Sequence, residues 1–240
     1  MRQVVRPLNQ LLQAMPAVEF EVLRPHLEFV DLVREAVLIE AGVPLTHVYL
    51  PCSGIISARV RLSKGQALDV AMVGCDGVVG ASAGFGGMAS LTDAVVLLPG
   101  RACILHVGHV LTAADRSPAF RTLLARHEQA LFAQAQQSAA CNAAHSVEAR
   151  LSRWLLHARD LCDSESLPLT QDVLAQMIGV RRNAVSIVAN ALQKAGTIRY
   201  SRGLIEITDV RGLRDTSCEC YRAVRAHRDR LLRTSPRSAG

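Results

Sequence analysis

Leu169-Thr-Gln-Asp-Val-Leu-Ala-Gln-Met-Ile-Gly-Val-Arg-Arg-Asn-Ala-Val-Ser-Ile-Val-Ala-Asn-Ala-Leu-Gln-Lys-Ala-Gly196 is the stretch that decides the fold. Thr170 is placed to cap a short helix whose apolar face is Val173, Leu174, Met177 and Ile178. Gly179 ends that helix, where a left-handed backbone is cheap only without a side chain. A second helix follows from about Arg181 to Ala195, with Val185, Val188, Ala189 and Leu192 turned inward. Ala175 is small where the two helices must cross. A small residue, a glycine four later and a buried valine ten later meet the needs of a helix-turn-helix. A plain αα-hairpin accounts for the apolar positions and leaves the exposed ones unexplained.

Those exposed residues are Arg181, Arg182, Asn183 and Ser186, on the leading turns of the second helix. An arginine can grip guanine O6 and N7, and an asparagine adenine N6 and N7, each through two hydrogen bonds. Thr170 and Gln171, at the head of the first helix, join the same set. Next comes Thr197 to Ile207, two alternating apolar runs around Arg202-Gly203, which predicts a β-hairpin. Arg199 on its strand and Arg202 at its tip make it a basic wing, suited to phosphate or minor-groove contact. Double-stranded DNA is the partner implied.

The charge distribution agrees. The 240 residues carry a net +6, and it is uneven: residues 1–149 hold 11 Lys+Arg and 12 Asp+Glu, residues 150–240 hold 16 and 9. A near-neutral front and a basic back point to an anionic partner for the back alone. Half of the residues are hydrophobic and a fifth charged, a globular composition. The densest apolar patch, Ala94 to Leu98, is far shorter than a membrane span, and no secretory signal is read at the start. The expectation is a cytoplasmic protein with no membrane partner. Seven scattered cysteines without a Cys-x-x-Cys spacing predict reduced thiols and not a disulfide framework.

Upstream, Leu8 to Val30 reads as short helices broken by Pro16 and Pro25. From Asp31 to about Val110 the texture becomes short β-rich runs, among them Val37 to Ile39, Val48 to Leu50, Ile55 to Leu62 and Leu68 to Val73, separated by Gly and Pro. Pro118 to about His145 is one long helix of Ala, Leu, Gln and Arg. A seam at 3.5-residue spacing runs along it through Phe120, Leu124, His127, Leu131, Gln134, Ser138, Cys141 and His145. The first four of these are the expected dimerisation residues, burying the face against a twin helix. A helix lying on the β domain is the alternative. Ser146 is placed to cap a further helix through Trp154 to about Leu161.

In this order of parts the chain resembles the Crp/Fnr family of bacterial transcription regulators. The resemblance rests on Gly179-Val-Arg-Arg-Asn-Ala-Val-Ser186 and on Val43-Pro-Leu-Thr-His-Val-Tyr-Leu-Pro-Cys-Ser-Gly54, followed by glycines at 65, 74, 77 and 80. It implies an α+β fold: an N-terminal β-roll (a cyclic-nucleotide-binding-like double-stranded β-helix), a long dimerisation helix and a C-terminal winged helix-turn-helix. The expected domains are 1–117 for the sensor with its N-terminal helices, 118–145 for the dimerisation helix, 146–233 for the DNA-binding domain and 234–240 for a flexible tail. The function implied is a homodimeric, sequence-specific regulator, not an enzyme, on a near-palindromic operator, with RNA polymerase a further candidate partner. Arg182 is the foremost base reader by this resemblance. Asn183 stands where relatives commonly carry an acidic residue, so their operators do not transfer.

The sensor departs from the family's ligand-binding forms. Cyclic-nucleotide binders set a Gly-Glu pair and an Arg-Ser pair around the phosphate; here Ala81 replaces the Glu, and Thr92-Asp93 replaces the Arg-Ser. An aspartate facing a phosphate with no arginine to neutralise it is repulsive, which argues against cyclic AMP. The first cysteine is Cys52, so the N-terminal iron–sulfur chemistry of the oxygen-sensing branch has no ligands here. His47, His106 and His109 are read as surface or hydrogen-bonded residues in preference to haem ligands. Cys218 and Cys220, taken together on the last helix, point about 200° apart and are assigned no metal. Cys220 is expected to pack with Val224, and Cys218 is left without a role. No cofactor is assigned. The rival readings are a regulator acting through a protein partner and a metal-dependent β-roll enzyme built near His106 and His109.

Overall fold

The structure is a computed structural model that describes residues 8–63, 65–87 and 89–232. The expected tail at 234–240 lies outside the described residues. Two short helices, α1 (Gln10–Ala14) and α2 (Ala17–Leu23), and a 3-10 turn at Arg24–His26 open the chain. Asn9 caps α1 through its side-chain oxygen, and its amide nitrogen donates to the carbonyls of Pro51 and Gly77, fastening the N-terminal helices to the sheet below.

Seven strands follow: β1 (Glu28–Leu32), β2 (Val37–Ile39), β3 (His47–Pro51), β4 (Ile55–Arg61), β5 (Ala67–Val73), β6 (Asp93–Leu98) and β7 (Gly100–His106). They form a three-stranded sheet of order β1-β7-β3 and a four-stranded sheet of order β2-β6-β4-β5, every pair antiparallel. Strand β1 begins at Glu28, ahead of the Asp31 expected from the β texture. The inward faces pack Leu32, Val48, Leu50, Ile56, Val96 and Leu105 into one core, closed by Phe20 and Leu23 of α2.

Helix α3 (Val107–Arg116) leads into the long α4 (Pro118–Ala144). Ser117 starts α4: its hydroxyl accepts from the Phe120 amide and donates to Glu19 of α2. Pro118 occupies the first turn, where its missing N–H costs nothing. The expected dimer seam faces the other way. Phe120, Leu124 and His127 are buried within this chain, and Leu131 is half-buried beside the β-roll. Leu124 lies against Gly84, while His127 Nε2 accepts the backbone N–H of Val78 at 3.2 Å. Further along, the Gln134 amide group bonds to both the N–H and the C=O of Met72 in β5. From Phe120 to Gln134 the seam is thus the face on which α4 lies along its own β domain, the alternative left open by the spacing, while Ser138 and Cys141 meet Arg153 and Cys218 of the C-terminal half.

Beyond His145, Ser146 caps α5 (Val147–Cys162) by accepting from Ala149 N. The rest comprises β8 (Ser166–Leu167), α6 (Gln171–Ile178), α7 (Arg182–Lys194), β9 (Ile198–Ser201), β10 (Leu204–Ile207), α8 (Val210–Thr216) and α9 (Cys220–Leu232). A second core joins Trp154, Leu155, Leu174, Val185, Leu192 and Ile205 of this half to Ile55, Met72, Leu97 and Leu98 of the β-roll. Helix α9 returns to pack along α4. Cys218 precedes α9 and is not part of it, so the helical geometry that set it apart from Cys220 does not hold. Cys141, Cys218 and Cys220 share one small buried cluster instead.

Candidate nucleic-acid interface

Thr170 caps α6 by accepting from Val173 N at 3.3 Å. Gly179 ends it at φ +66, in the left-handed region, and the Val180 amide closes on the Ala175 carbonyl at 3.0 Å. The chain can therefore turn sharply enough for α7 to cross α6, with Ala175, Val185, Ala189 and Leu192 all buried at the crossing. One face of α7 is committed to this core, and the opposite face must point outward.

That outward face holds Arg181, Arg182 and Asn183, all exposed, and continues through Ile187 and Asn190 to Lys194. Ile187 is 71% exposed on that face. Neither Ile187 nor Asn190 was singled out in the sequence. The signal was available, since each extends the face of Arg182 and Asn183 by one or two turns. Apolar contact suits a thymine methyl and a carboxamide suits adenine, so both residues fit a base-reading surface.

The remaining predicted residues are placed with more engagement. Ser186 is half-buried and its hydroxyl donates to Gln171 Oε1 at 2.7 Å, which joins these two residues across the helix pair. Arg182 lies 3.6 Å from Asp172, with both side chains about two-thirds exposed, a pair that solvent screens heavily. Strands β9 and β10 form the wing, with Arg202 (φ +48) and Gly203 (φ +80) as its two-residue turn. Arg202 is exposed and, among the described residues, has no carboxylate within ion-pair distance. Arg199 is paired across the hairpin with Glu206 at 3.0 Å, which offsets its charge.

A cavity of about 400 Å³ lies between the β-roll and α4, lined among others by Gly80, Ser82, Thr92, Asp93, Glu128 and Leu131. The expectation that Asp93 stands without an arginine is corrected here. Arg61 Nε lies 2.6 Å from Asp93 Oδ2, and the Ala41 amide donates to Oδ1 at 2.9 Å. Arg61 holds the carboxylate from the neighbouring strand and does not itself line the cavity. Glu128 on the α4 side has its carboxyl pushed up by burial. His47 and His106 meet edge to face on adjacent strands, His26 stacks on His109, and His106 Nδ1 accepts from Gly108 at the start of α3.

Comparison with known proteins agrees with this geometry. Residues 149–216 match the Crp-like helix-turn-helix domain. No curated protein matches the chain. Among solved structures, FixK2 from Bradyrhizobium japonicum is similar at a TM-score of 0.70 and 15% identity, covering 80% of this chain and 98% of its own. The c-di-GMP responsive global regulator CLP of Xanthomonas campestris gives 0.66 at 14% identity over 81% and 100%. A CRP/FNR-family transcriptional regulator from Thermus thermophilus gives 0.62 at 24% identity over 79% and 98%. Among the described residues no helix is long and apolar enough to cross a membrane. The chain thus has the fold of those Crp/Fnr-family proteins, and its residues 149–216 match the Crp-like helix-turn-helix domain.

Proposed function

We propose that the chain is a homodimeric, sequence-specific regulator of transcription that acts by binding, with residues 1–117 as sensor, 118–145 as dimerisation helix and 146–233 as DNA-binding domain. The observation that carries this reading is the outward face of α7. Arg181, Arg182, Asn183, Ile187 and Asn190 emerge from a helix whose other face is locked into a core, and Arg202 stands free on the wing beside it. Such a helix enters a major groove with its reading residues already oriented, and the wing adds backbone contact.

Dimerisation is assigned to the solvent face of α4. Thr122, Ala125, Gln129, Phe132, Gln136, Ala139 and Ala143 are all exposed and recur at alternating steps of three and four. This is a heptad seam of mostly small residues around one large side chain, Phe132, which is 63% exposed in the single chain. Two copies joined there would set their α7 helices about one DNA turn (~34 Å) apart on a near-palindromic site.

The effector is proposed to be something other than a cyclic nucleotide. No lysine or arginine lines the cavity among the described residues, and Asp93 and Glu128 both border it. A phosphate placed there would lack a cationic hydrogen-bond donor, since the nearby guanidinium of Arg61 is engaged by Asp93 and does not line the cavity. The test of the whole reading is selection of random duplexes by the purified full-length protein. A two-fold symmetric motif is expected; failure to enrich any sequence overturns the proposal.

A further inference from the structure

We propose that Cys141, His145, Cys218 and Cys220 form a mononuclear site for a thiophilic divalent cation of the Zn²⁺ class, fastening the end of the long helix α4 to the segment between α8 and α9. The four residues fall in pairs more than seventy positions apart, so their spacing in the sequence points to no metal.

The four ligand atoms lie close enough to close on one ion. One ligand atom from each of the four residues lies within 4.8 Å of all the others. The Cys141 and Cys218 sulfurs are 3.5 Å apart, and Cys220 Sγ is 3.6 Å from His145 Nδ1. Bonds of about 2.3 Å to sulfur and about 2.0 Å to nitrogen, at tetrahedral angles, place neighbouring ligands roughly 3.4–3.8 Å apart. Cys141 lies in the last turn of α4 and His145 caps it, its backbone N–H closing on the Cys141 carbonyl, and Cys218 and Cys220 flank Glu219. The three cysteines are buried and His145 is half-buried, so the set is closed, as in sites whose role is structural. An iron–sulfur cluster attaches its cysteines to different irons and needs a wider spread of ligands.

The surroundings supply what such a centre requires. His145 presents Nδ1 to the thiols while Nε2 lies 3.2 Å from Glu219 Oε1, the carboxylate–histidine arrangement that orients a metal-binding imidazole. Gln137 Nε2 donates to Cys220 Sγ at 3.0 Å. A dication with three thiolates carries one net negative charge, and a buried cation stands ready to balance it. Arg153 is only 3% exposed, its Nε has no hydrogen-bond partner, and its guanidinium reaches the Ser138 hydroxyl and lies over Trp154. Among the described residues no carboxylate pairs with Arg153, although its charge acts on the Cys141 thiol. A buried guanidinium without a counter-charge is costly, and the loaded site provides one. A disulfide between Cys141 and Cys218 would leave Arg153, and the contact of His145 with Cys220, without explanation.

The position gives the site a consequence. His145 is the junction between α4 and α5, where the DNA-binding half leaves the long helix, and Cys218 and Cys220 close that half at its far end. An ion shared between them would tie the segment ahead of α9 to the end of α4, adding to the packing of α9 along that helix.

The test uses the full-length protein purified under reducing, anaerobic conditions, with metal content measured and Co²⁺ then titrated into the metal-free protein. One zinc per chain is expected, with thiolate-to-cobalt charge-transfer and tetrahedral d–d bands on Co²⁺ loading. Cys218→Ser and Cys220→Ser should each abolish the stoichiometric metal, whereas Cys75→Ser and Cys162→Ser leave it unchanged. Glu219→Gln should weaken binding by about 10–100-fold. Should Cys141→Ser fail to fold, His145→Cys still decides the ligand set: metal stays bound and charge-transfer absorption per cobalt rises, from three thiolates to four. Substoichiometric metal, iron with acid-labile sulfide, a Cys141–Cys218 disulfide in the isolated protein, or full binding by Cys218→Ser each overturns the proposal. These readouts do not involve DNA and stand apart from the regulator reading.

Discussion

His127, in the middle of α4, accepts the backbone N–H of Val78 on its Nε2 at 3.2 Å, so the imidazole is held neutral with its proton on Nδ1. Gly77 makes this approach possible, since a Cβ there would collide with the ring. Burial lowers the His127 pKa to about 4, and burial together with the charges of Arg228 and Arg153 lowers that of His157 to about 3. Both lie below the value of about 6.5 expected for an unfolded chain.

Between those limits the unfolded state binds protons that the folded state refuses. The stabilisation is complete above about pH 6.5 and is lost as pH falls from there toward 4, by up to about 1.4 kcal/mol per pH unit for each histidine. Asp76 and Glu128, whose carboxyls burial raises, act in the opposite sense. The clean experiment is therefore a comparison. His127→Gln keeps an acceptor for Val78 and removes the titration, so its unfolding free energy should fall less steeply between pH 6.5 and 5 than that of the parent. Equal slopes would place the ring elsewhere.

The two faces of α4 predict two different phenotypes. Leu124 is buried against Gly84, and Leu124→Ala should cost about 2–5 kcal/mol of stability without changing the oligomeric state. Phe132 stands on the solvent side, and Phe132→Glu should leave the melting of the monomer almost unchanged. It should also weaken self-association at least about tenfold, or about 1.4 kcal/mol. Sedimentation across a concentration series separates the two. Dissociation by Leu124→Ala and not by Phe132→Glu would return the dimer contact to the seam first expected from spacing.

This contrast shows what the sequence could and could not convey. The helix-turn-helix and the wing were legible because their signals are local: Thr170 caps, Gly179 turns, and Arg202-Gly203 fixes a hairpin register. The extent of α4 was legible from Pro118 and the run of helix formers that follows it without a breaker. Its orientation was not, because a 3.5-residue stripe can serve a twin helix or the chain's own sheet equally well. The polar members of that stripe held the clue. His127 and Gln134 bond to backbone groups of the β-roll, which a repeating helix pair does not offer. Long-range pairings were invisible for the same reason: Arg61 meets Asp93 across two strands, and Cys218 meets Cys141 over a separation of 77 residues.

The Arg61–Asp93 pair makes a third prediction. Asp93 is buried while Arg61 is more than half exposed, so solvent screens one side of the pair only. Arg61→Ala leaves the carboxylate with the Ala41 amide as its principal donor and should cost about 1–3 kcal/mol, read from denaturant midpoints. Asp93→Asn in the Arg61→Ala background removes the stranded charge and should recover part of the loss. If the loss in the double variant equals the sum of the losses of Arg61→Ala and Asp93→Asn measured singly, the two residues do not act as a pair.

The division of labour on the DNA side can be resolved by comparing Arg182, Ile187 and Arg202. Arg182 is tied only to an exposed Asp172 and is free to leave it for a base. Arg182→Ala should cost about 1–3 kcal/mol on the selected site and relax preference at one base pair, with little effect on random duplex. Ile187→Ala should act likewise at a thymine. Arg202, at the wing tip, is assigned to the DNA backbone. Its removal should weaken all sequences alike and reduce the slope of log affinity against log salt by about 0.9, the share of one phosphate contact. The readout is a salt series on matched specific and random duplexes. Loss of specificity from Arg202→Ala, or a uniform loss from Arg182→Ala, would exchange the roles assigned to helix and wing.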